Sequence, residues 1–199
     1  MANRHVEGPA GFHHHYPRPA VIVTCHARGK DNAMAVAWHS SISFNPPLFG
    51  VSIAPKRYTY ELILEAKEFG VNFMPIEKAE LVAATGGSLG RKVDKFEKFN
   101  LQKEKPLKTS APILKDAYAA YECKLHSHYT CGDHEWFVGE IVATHYDEEA
   151  FTAAGILNLA KVNPAMFIGG ELYVTADANS ARHLERSEYG KGAWQSPSL

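Results

Sequence analysis

Lys56, Arg57 and Thr59 form a cluster suited to an anion: two cations and a hydroxyl stand where a helix beginning near Tyr60 presents unsatisfied N–H groups. A helix start of this kind attracts phosphate. The same spacing also suits a plain N-cap at Thr59 beside a solvated basic pair. Upstream, Met34, Val36 and Trp38 alternate with Ala33, Ala35 and Ala37, the period of a strand whose small face admits a flat ligand close to the backbone. Ser40, Ser41 and Ser52 add hydroxyl donors. His134 follows Gly132-Asp133 and can orient or protonate a substrate, because imidazole titrates near neutrality. Gly86 to Lys92 suggests a phosphate loop but fails GxxxxGK[ST], since Arg91 stands where the second glycine belongs. No GxGxxG follows a strand, which argues against a dedicated dinucleotide domain.

The elements that must hold these residues read as short strands with a few helices. Pro17 to Ala27 forms a first strand with Val21, Val23 and Cys25 on one face, and Gly29 to Asn32 turns into the next. Asn45-Pro46-Pro47 ends that region, and Leu48 to Ala54 is a further strand. Thr59 to Lys67 is a short amphipathic helix with Leu62, Ile63 and Ala66 sharing a face. Phe69 to Met74 is a strand, Glu77 to Ala84 a helix stopped by Gly86-Gly87, and Val93 to Phe99 one or two helical turns. Lys103 to Pro112 is a polar loop. Tyr118 to Cys131 and Trp136 to Tyr146 are long strands joined by Gly132-Asp133, a pair suited to a type II′ turn. Ala165 to Ile168 is a last short strand. Residues 1–16, ending in His13-His14-His15, read as a flexible or partner-draped arm, 17–175 as one domain, and 176–199 as a polar tail. Mostly antiparallel strands at short spacing point to a closed or nearly closed barrel.

The 199 residues suffice for one domain with a substantial core. A formal net charge of −1 and no Lys/Arg tract give no support to nucleic acid or an anionic membrane as partner. Three cysteines without CxxC argue against a disulfide framework and for a reducing cytoplasm. No apolar run is long enough to span a bilayer as a helix.

Three blocks in register resemble the flavin reductase-like family of FMN-binding split barrels, which includes flavoredoxin. The first runs through Asn32, Met34, Trp38, Ser40, Ser41, Ser43, Pro46, Pro47, Leu48, Ser52, Ile53, Arg57, Tyr58 and Thr59. The second is GGSLGRKVDKF (Gly86 to Phe96), with Leu89 inserted relative to the family's Ser-Gly-Arg-x-x-Asp-Lys-Phe. The third is GDHEWFVGEIV (Gly132 to Val142). The resemblance covers residues 17–175 and implies a mainly β fold with short helices, an FMN-binding split β-barrel of antiparallel Greek-key type. It implies FMN held by Asn32, Met34, Trp38, Ser40, Ser41, Ser52, Lys56, Arg57, Thr59 and Lys95, with Phe167 covering a ring face and His134 near the flavin as the candidate catalytic group. It further implies a homodimer and an oxidoreductase taking hydride from NADH or NADPH, with free flavin or an oxygenase component as acceptor. One alternative is an FMN electron-transfer protein with little NAD(P)H activity. A second is a cupin-like metal barrel without flavin. His126 and His128 lie two apart on one strand, with Cys131, His134 and Glu135 following, but Glu135 comes too late for a cupin ligand and no structural zinc spacing is present, so no metal site is assigned.

Overall fold

Residues 4–190 are described by the computed structural model of the chain. The strands are β1 (Arg18–Pro19), β2 (Val21–Ala27), β3 (Lys30–Val36), β4 (His39–Phe44), β5 (Pro47–Ile53), β6 (Glu68–Phe73), β7 (Lys103–Glu104), β8 (Ile113–Leu114), β9 (Ala119–Cys131), β10 (His134–Tyr146), β11 (Met166–Gly169) and β12 (Leu172–Val174). The helices are α1 (Tyr58–Ala66), α2 (Ala79–Gly87), α3 (Lys95–Lys98) and α4 (Arg186–Tyr189). Seven strands make one antiparallel sheet in the order β3-β2-β6-β9-β10-β5-β4. Its two outer strands, β3 and β4, are consecutive in the chain, and the Ser52 amide donates to the Trp38 carbonyl at 2.9 Å beside that link. The sheet therefore curls until its first and last strands meet through Ala37-Trp38, which is a split barrel with non-sequential, Greek-key connections rather than a simple meander.

Alternation on β2 decides where the two cores lie. Val21, Val23 and Cys25 enter a large cluster with Val51, Ile53, Phe69, Phe137 and, from α1, Leu62 and Ile63. Ile22, pointing the other way, joins Ala33, Met74, Val82, Leu101 and Leu114 in a second cluster. Both faces of β2 are thus buried, so the strand reads as a nearly continuous apolar run. On β3, Val36 joins the first cluster, whereas Ala33 and Ala35 belong to the second. The small alanine face receives α2: a Cβ at Gly86 would sit 3.1 Å from the Ala35 Cβ. Ala35 thus lies beneath α2 and also lines a cavity beside it.

Several local expectations are corrected. The N-cap of α1 is Arg57, with no side-chain cap bond, so Thr59 lies inside the helix. Gly86 and Gly87 do not stop α2; both are helical and Ser88 is its C-cap. A side chain at Gly86 would crowd Ala35, so close packing against β3 offsets the poor helix propensity of glycine there. The polar loop starts as a strand, β7 pairing with β8. The N-terminal arm is folded onto the body through Phe12, His13 and Tyr16 rather than hanging free. The tail contains the short turns Ala178–Ser180 and Arg186–Tyr189, and its residues 191–199 lie outside the described part. Gly132 has φ 65° at the β9–β10 turn, and Asp133 is not among the residues of positive φ, as a type II′ turn requires. Among the described residues no helix is long and apolar enough to cross a membrane.

Candidate functional site

A cavity of about 320 Å³ opens where β3, the start of α1 and the α2–α3 segment meet. It is lined by Asn32, Met34, Lys56, Arg57, Thr59 and Lys95 of the expected residues, together with Thr85, Gly86, Ser88 and Gly90 to Lys92. Each side chain is positioned by a specific contact. Asn32, buried on β3, donates from Nδ2 to Thr59 Oγ1 at 2.8 Å, tying the strand to the first turn of α1. Gly90 passes directly over that pair, since a Cβ there would collide with Asn32 Oδ1. The segment turns back at this point through the Lys92 and Val93 amides, which donate to the Leu89 carbonyl at 2.9 and 3.1 Å. Arg91 forms an ion pair with Glu61 of α1 and lies 5.1 Å from the Tyr58 ring centroid, which fixes the segment to the helix. Asp94 then caps α3 by accepting from the Glu97 amide, setting Lys95 on the inner side.

Lys95 is the unusual member. It is only 3% exposed, and its ammonium donates to the Thr85 carbonyl at 2.6 Å. No carboxylate pairs with it among the described residues, while Arg57 adds a second positive charge nearby. Burial, reinforced by Arg57, pushes the ammonium down to about 8. Cys25 lies on the core side of the same group, and burial pushes its thiol up to about 12 despite a hydrogen bond with Asn32, so it is no counter-anion at neutral pH. A buried cation without an anion is costly unless a ligand supplies one. Lys56, Arg57 and Lys95 with the first amides of α1 are a donor set for a phosphate monoester.

The other expected residues fall outside this cavity. His134 at the hairpin tip stacks on Trp38 with centroids 4.9 Å apart, and its Nδ1 pairs with Asp133 Oδ1 at 2.7 Å. The hydrogen bond and charge of His134 hold Asp133 low, and Lys56 adds a smaller effect in the same direction. Trp38 and His134 form an aromatic pair that is not part of the cavity lining. Ser40 donates to the Ser41 carbonyl at 3.0 Å, and both are exposed on the outer strand β4. Ser52 is partly buried opposite Trp136. Phe167 packs against Tyr16 and Tyr173, with centroids at 5.9 and 5.4 Å.

Thr85 and Gly90 were not singled out from the sequence. The Gly86–Lys92 stretch did signal a phosphate loop, but the consensus it fails belongs to a loop before one helix, whereas here it bridges two short helices. The paired histidines take separate partners. The register of β9 against β10 slips between Leu125 and Ser127, leaving His126 unpaired in a bulge. His126 bonds to Ser127, whereas His128 pairs with Glu135, and no group of three or more metal-ligating side chains forms among the described residues.

Comparison with known proteins agrees with this architecture. A family model described as a flavin reductase like domain matches residues 13–175. The FMN-binding protein of Thermus thermophilus, solved with 1-cyclohex-2-enone, superposes with a TM-score of 0.78 at 36% identity, covering 88% of this chain and 96% of that one. Flavoredoxin from Methanosarcina acetivorans gives a TM-score of 0.78 at 27% identity over 87% of this chain and 92% of that one. A protein of Aeropyrum pernix is 32% identical over 155 residues; the match spans 77% of this chain but only 58% of that protein. These matches replace the cupin-like alternative, and the chain belongs to the flavin reductase-like family.

Proposed function

We propose that this protein is an FMN-dependent oxidoreductase that accepts reducing equivalents from NADH or NADPH. The observation that carries the reading is Lys95: a buried ammonium with no carboxylate partner, facing a cavity that Lys56 and Arg57 also line. That cavity suits a phosphate. In this reading the aromatic pair of Trp38 and His134, which lies outside the cavity lining, borders the ring end of the ligand. A group with a phosphate at one end and a flat ring at the other fits this order, and the FMN-binding relative from Thermus supports the identity of that group.

FMN bound here would supply two-electron exchange between a nicotinamide and an acceptor. The chain's own residues bind and orient. Arg57, Lys56 and Lys95 neutralise the phosphate, and the Asn32–Thr59 bond keeps the end of α1 in register with β3. Met34 forms the apolar wall beside them. In this reading His134, paired with Asp133 through Nδ1, faces the ring end of the ligand and can share a proton with a bound substrate through its other nitrogen. In this reading the acceptor is free flavin or an oxygenase component, and the active form is a homodimer. The flavoredoxin match favours a second reading, an electron carrier with little nicotinamide activity.

The test is the absorption spectrum of the purified protein loaded with FMN, before and after anaerobic NADPH or NADH. A flavin band that bleaches supports the reductase. A band that persists with both nucleotides but bleaches with dithionite selects the carrier, and absence of FMN binding removes both. The double variant Arg57→Ala/Lys56→Ala tests the phosphate assignment. FMN affinity should fall about 10-fold or more while riboflavin affinity holds. Equal loss for both ligands would overturn it.

A further inference from the structure

The N-terminal arm places one aromatic ring where a ligand ring could sit. The Trp38 indole is fixed in orientation because its Nε1 donates to the Tyr16 hydroxyl at 2.8 Å. His134 lies 4.9 Å from its centroid and Phe12 lies 5.4 Å away, both rings tilted. The arm is not uniformly anchored. His13 is seated in a cradle at Gly169, where φ is 98° and a Cβ would come within 2.9 Å of the His13 ring. His13 and Tyr16 both pack on Phe167. Phe12 is 54% exposed, and residues 7–11 before it and 13–15 after it are exposed too; its aromatic contacts are with Trp38 and His15, and the backbone bond holding this stretch joins Tyr16 to His13, beyond Phe12. The anchored part of the arm therefore begins at His13. The family's shared domain also begins at residue 13, so Phe12 lies just outside it. Among the described residues the Tyr16 hydroxyl accepts from Trp38 and donates to nothing, leaving its proton for an incoming oxygen.

We infer that Phe12 is a displaceable cover on Trp38, and that the indole face beneath it takes one flat ring bearing a carbonyl oxygen, of the nicotinamide or quinone kind. Phe12 is held by tilted and edge contacts with Trp38 and His15, so a ligand ring on Trp38 replaces one aromatic contact with another and the exchange is nearly balanced. Tyr16 tips it toward a ring that carries an acceptor, and Phe12 and Tyr16 are then specificity-determining residues. The catalytic meaning of this surface rests on the proposed FMN slot beside it. Ring binding itself does not.

The experiment uses the full chain with Phe12→Ala, a change at an exposed residue outside both cores. Menadione and nicotinamide mononucleotide are each titrated into the FMN-free protein, following the fluorescence of Trp38 as the difference from matched Trp38→Phe proteins. Removal of the cover should tighten binding of at least one ring by about two- to tenfold, the worth of one aromatic contact. Tyr16→Phe in the Phe12→Ala background should reverse most of that gain. The ring that responds identifies the class. Unchanged or weaker binding of both rings in Phe12→Ala would overturn the inference. In the FMN-loaded protein the same variant should lower KM for the responding ring at constant kcat. Should FMN fail to bind the wild-type chain, the functional reading falls, whereas the titration without FMN still decides whether Phe12 covers a ring site.

Discussion

Asn32 of β3 and Thr59 of α1 share a 2.8 Å hydrogen bond beneath Gly90, and this contact joins the barrel wall to the helix start that lines the proposed phosphate pocket. Both side chains are buried. Thr59→Val keeps the shape and removes the acceptor, leaving the Asn32 amide without its partner. Chemical denaturation should show a loss of about 1–3 kcal/mol, and FMN affinity should fall as well. A variant with unchanged stability would mean that water replaces the hydroxyl.

Lys95→Met should move stability and affinity in opposite directions. Removing a buried, unpaired charge should raise the thermal midpoint of the FMN-free protein. FMN binding should weaken by about 10–150-fold through loss of a charged hydrogen bond. The wild type adds a pH signature. Lys95 is depressed from 10.5 to about 8 in the folded protein, so the unfolded chain holds more protons between these values. Stability of the FMN-free protein therefore rises as pH climbs through that window. FMN affinity should fall over the same window as the ammonium is lost, and Lys95→Met should flatten both profiles. Isothermal titration at several pH values checks this.

Glu122 should be the strongest acid-labile bond in the chain. It is fully buried on β9 and accepts from the Leu107, Lys108 and Thr109 amides at 2.6–2.8 Å, from the Thr109 hydroxyl and from His145. Burial raises the carboxyl, but these donors outweigh it, His145 foremost, and hold it at about 2. The stabilisation is complete above the unfolded value of 4.5 and is lost as pH falls toward 2. Glu122→Gln should cost about 3 kcal/mol at neutral pH and remove most of the stability loss seen over that acid range. Urea melts at pH 7 and pH 3 give the comparison.

His134→Ala should slow reduction by the nicotinamide nucleotide without releasing FMN, because the side chain touches Trp38 and Asp133 rather than the cavity. A group acting in proton transfer is worth about 10²–10⁴-fold. Hydride exchange needs no proton donor, so the smaller end of that range or less is expected. Anaerobic stopped-flow on matched FMN-loaded proteins measures it. An unchanged rate at equal nucleotide affinity would leave His134 as a hairpin residue.

Much of the frame was legible because it is written in local patterns. The alternation on β2 fixes its pleat, Gly132-Asp133 closes a hairpin, and Leu62 and Ile63 mark the buried side of α1. Lys56 and Arg57 announce themselves as paired cations at a helix start. The remainder depends on contacts between distant segments. Nothing near Lys95 in the chain says that it will be buried against the Thr85 carbonyl without an anion. Gly86-Gly87 reads as a stop until Ala35 is placed beneath it. The spacing of His126 and His128 does not announce the bulge between Leu125 and Ser127 that leaves His126 unpaired. The polar, glycine- and proline-punctuated arm hid Phe12 and Tyr16, whose partner Trp38 lies more than twenty residues on.

The division of the apolar interior into two clusters bears on how the cofactor comes and goes. Val82 of α2 packs with the second cluster alone, as does Phe96 of α3. One wall of the proposed phosphate pocket thus hangs on the smaller cluster, while the barrel is held by the larger. A local opening of residues 79–99 can admit or release a nucleotide while β6, β9 and β10 stay paired. Amide exchange in that segment should accordingly be fast in the FMN-free protein and slow once FMN is bound, with the barrel amides indifferent to both. Such an arrangement lets retention of the cofactor change by substitutions in one short segment, with no cost to the stability of the scaffold that carries it.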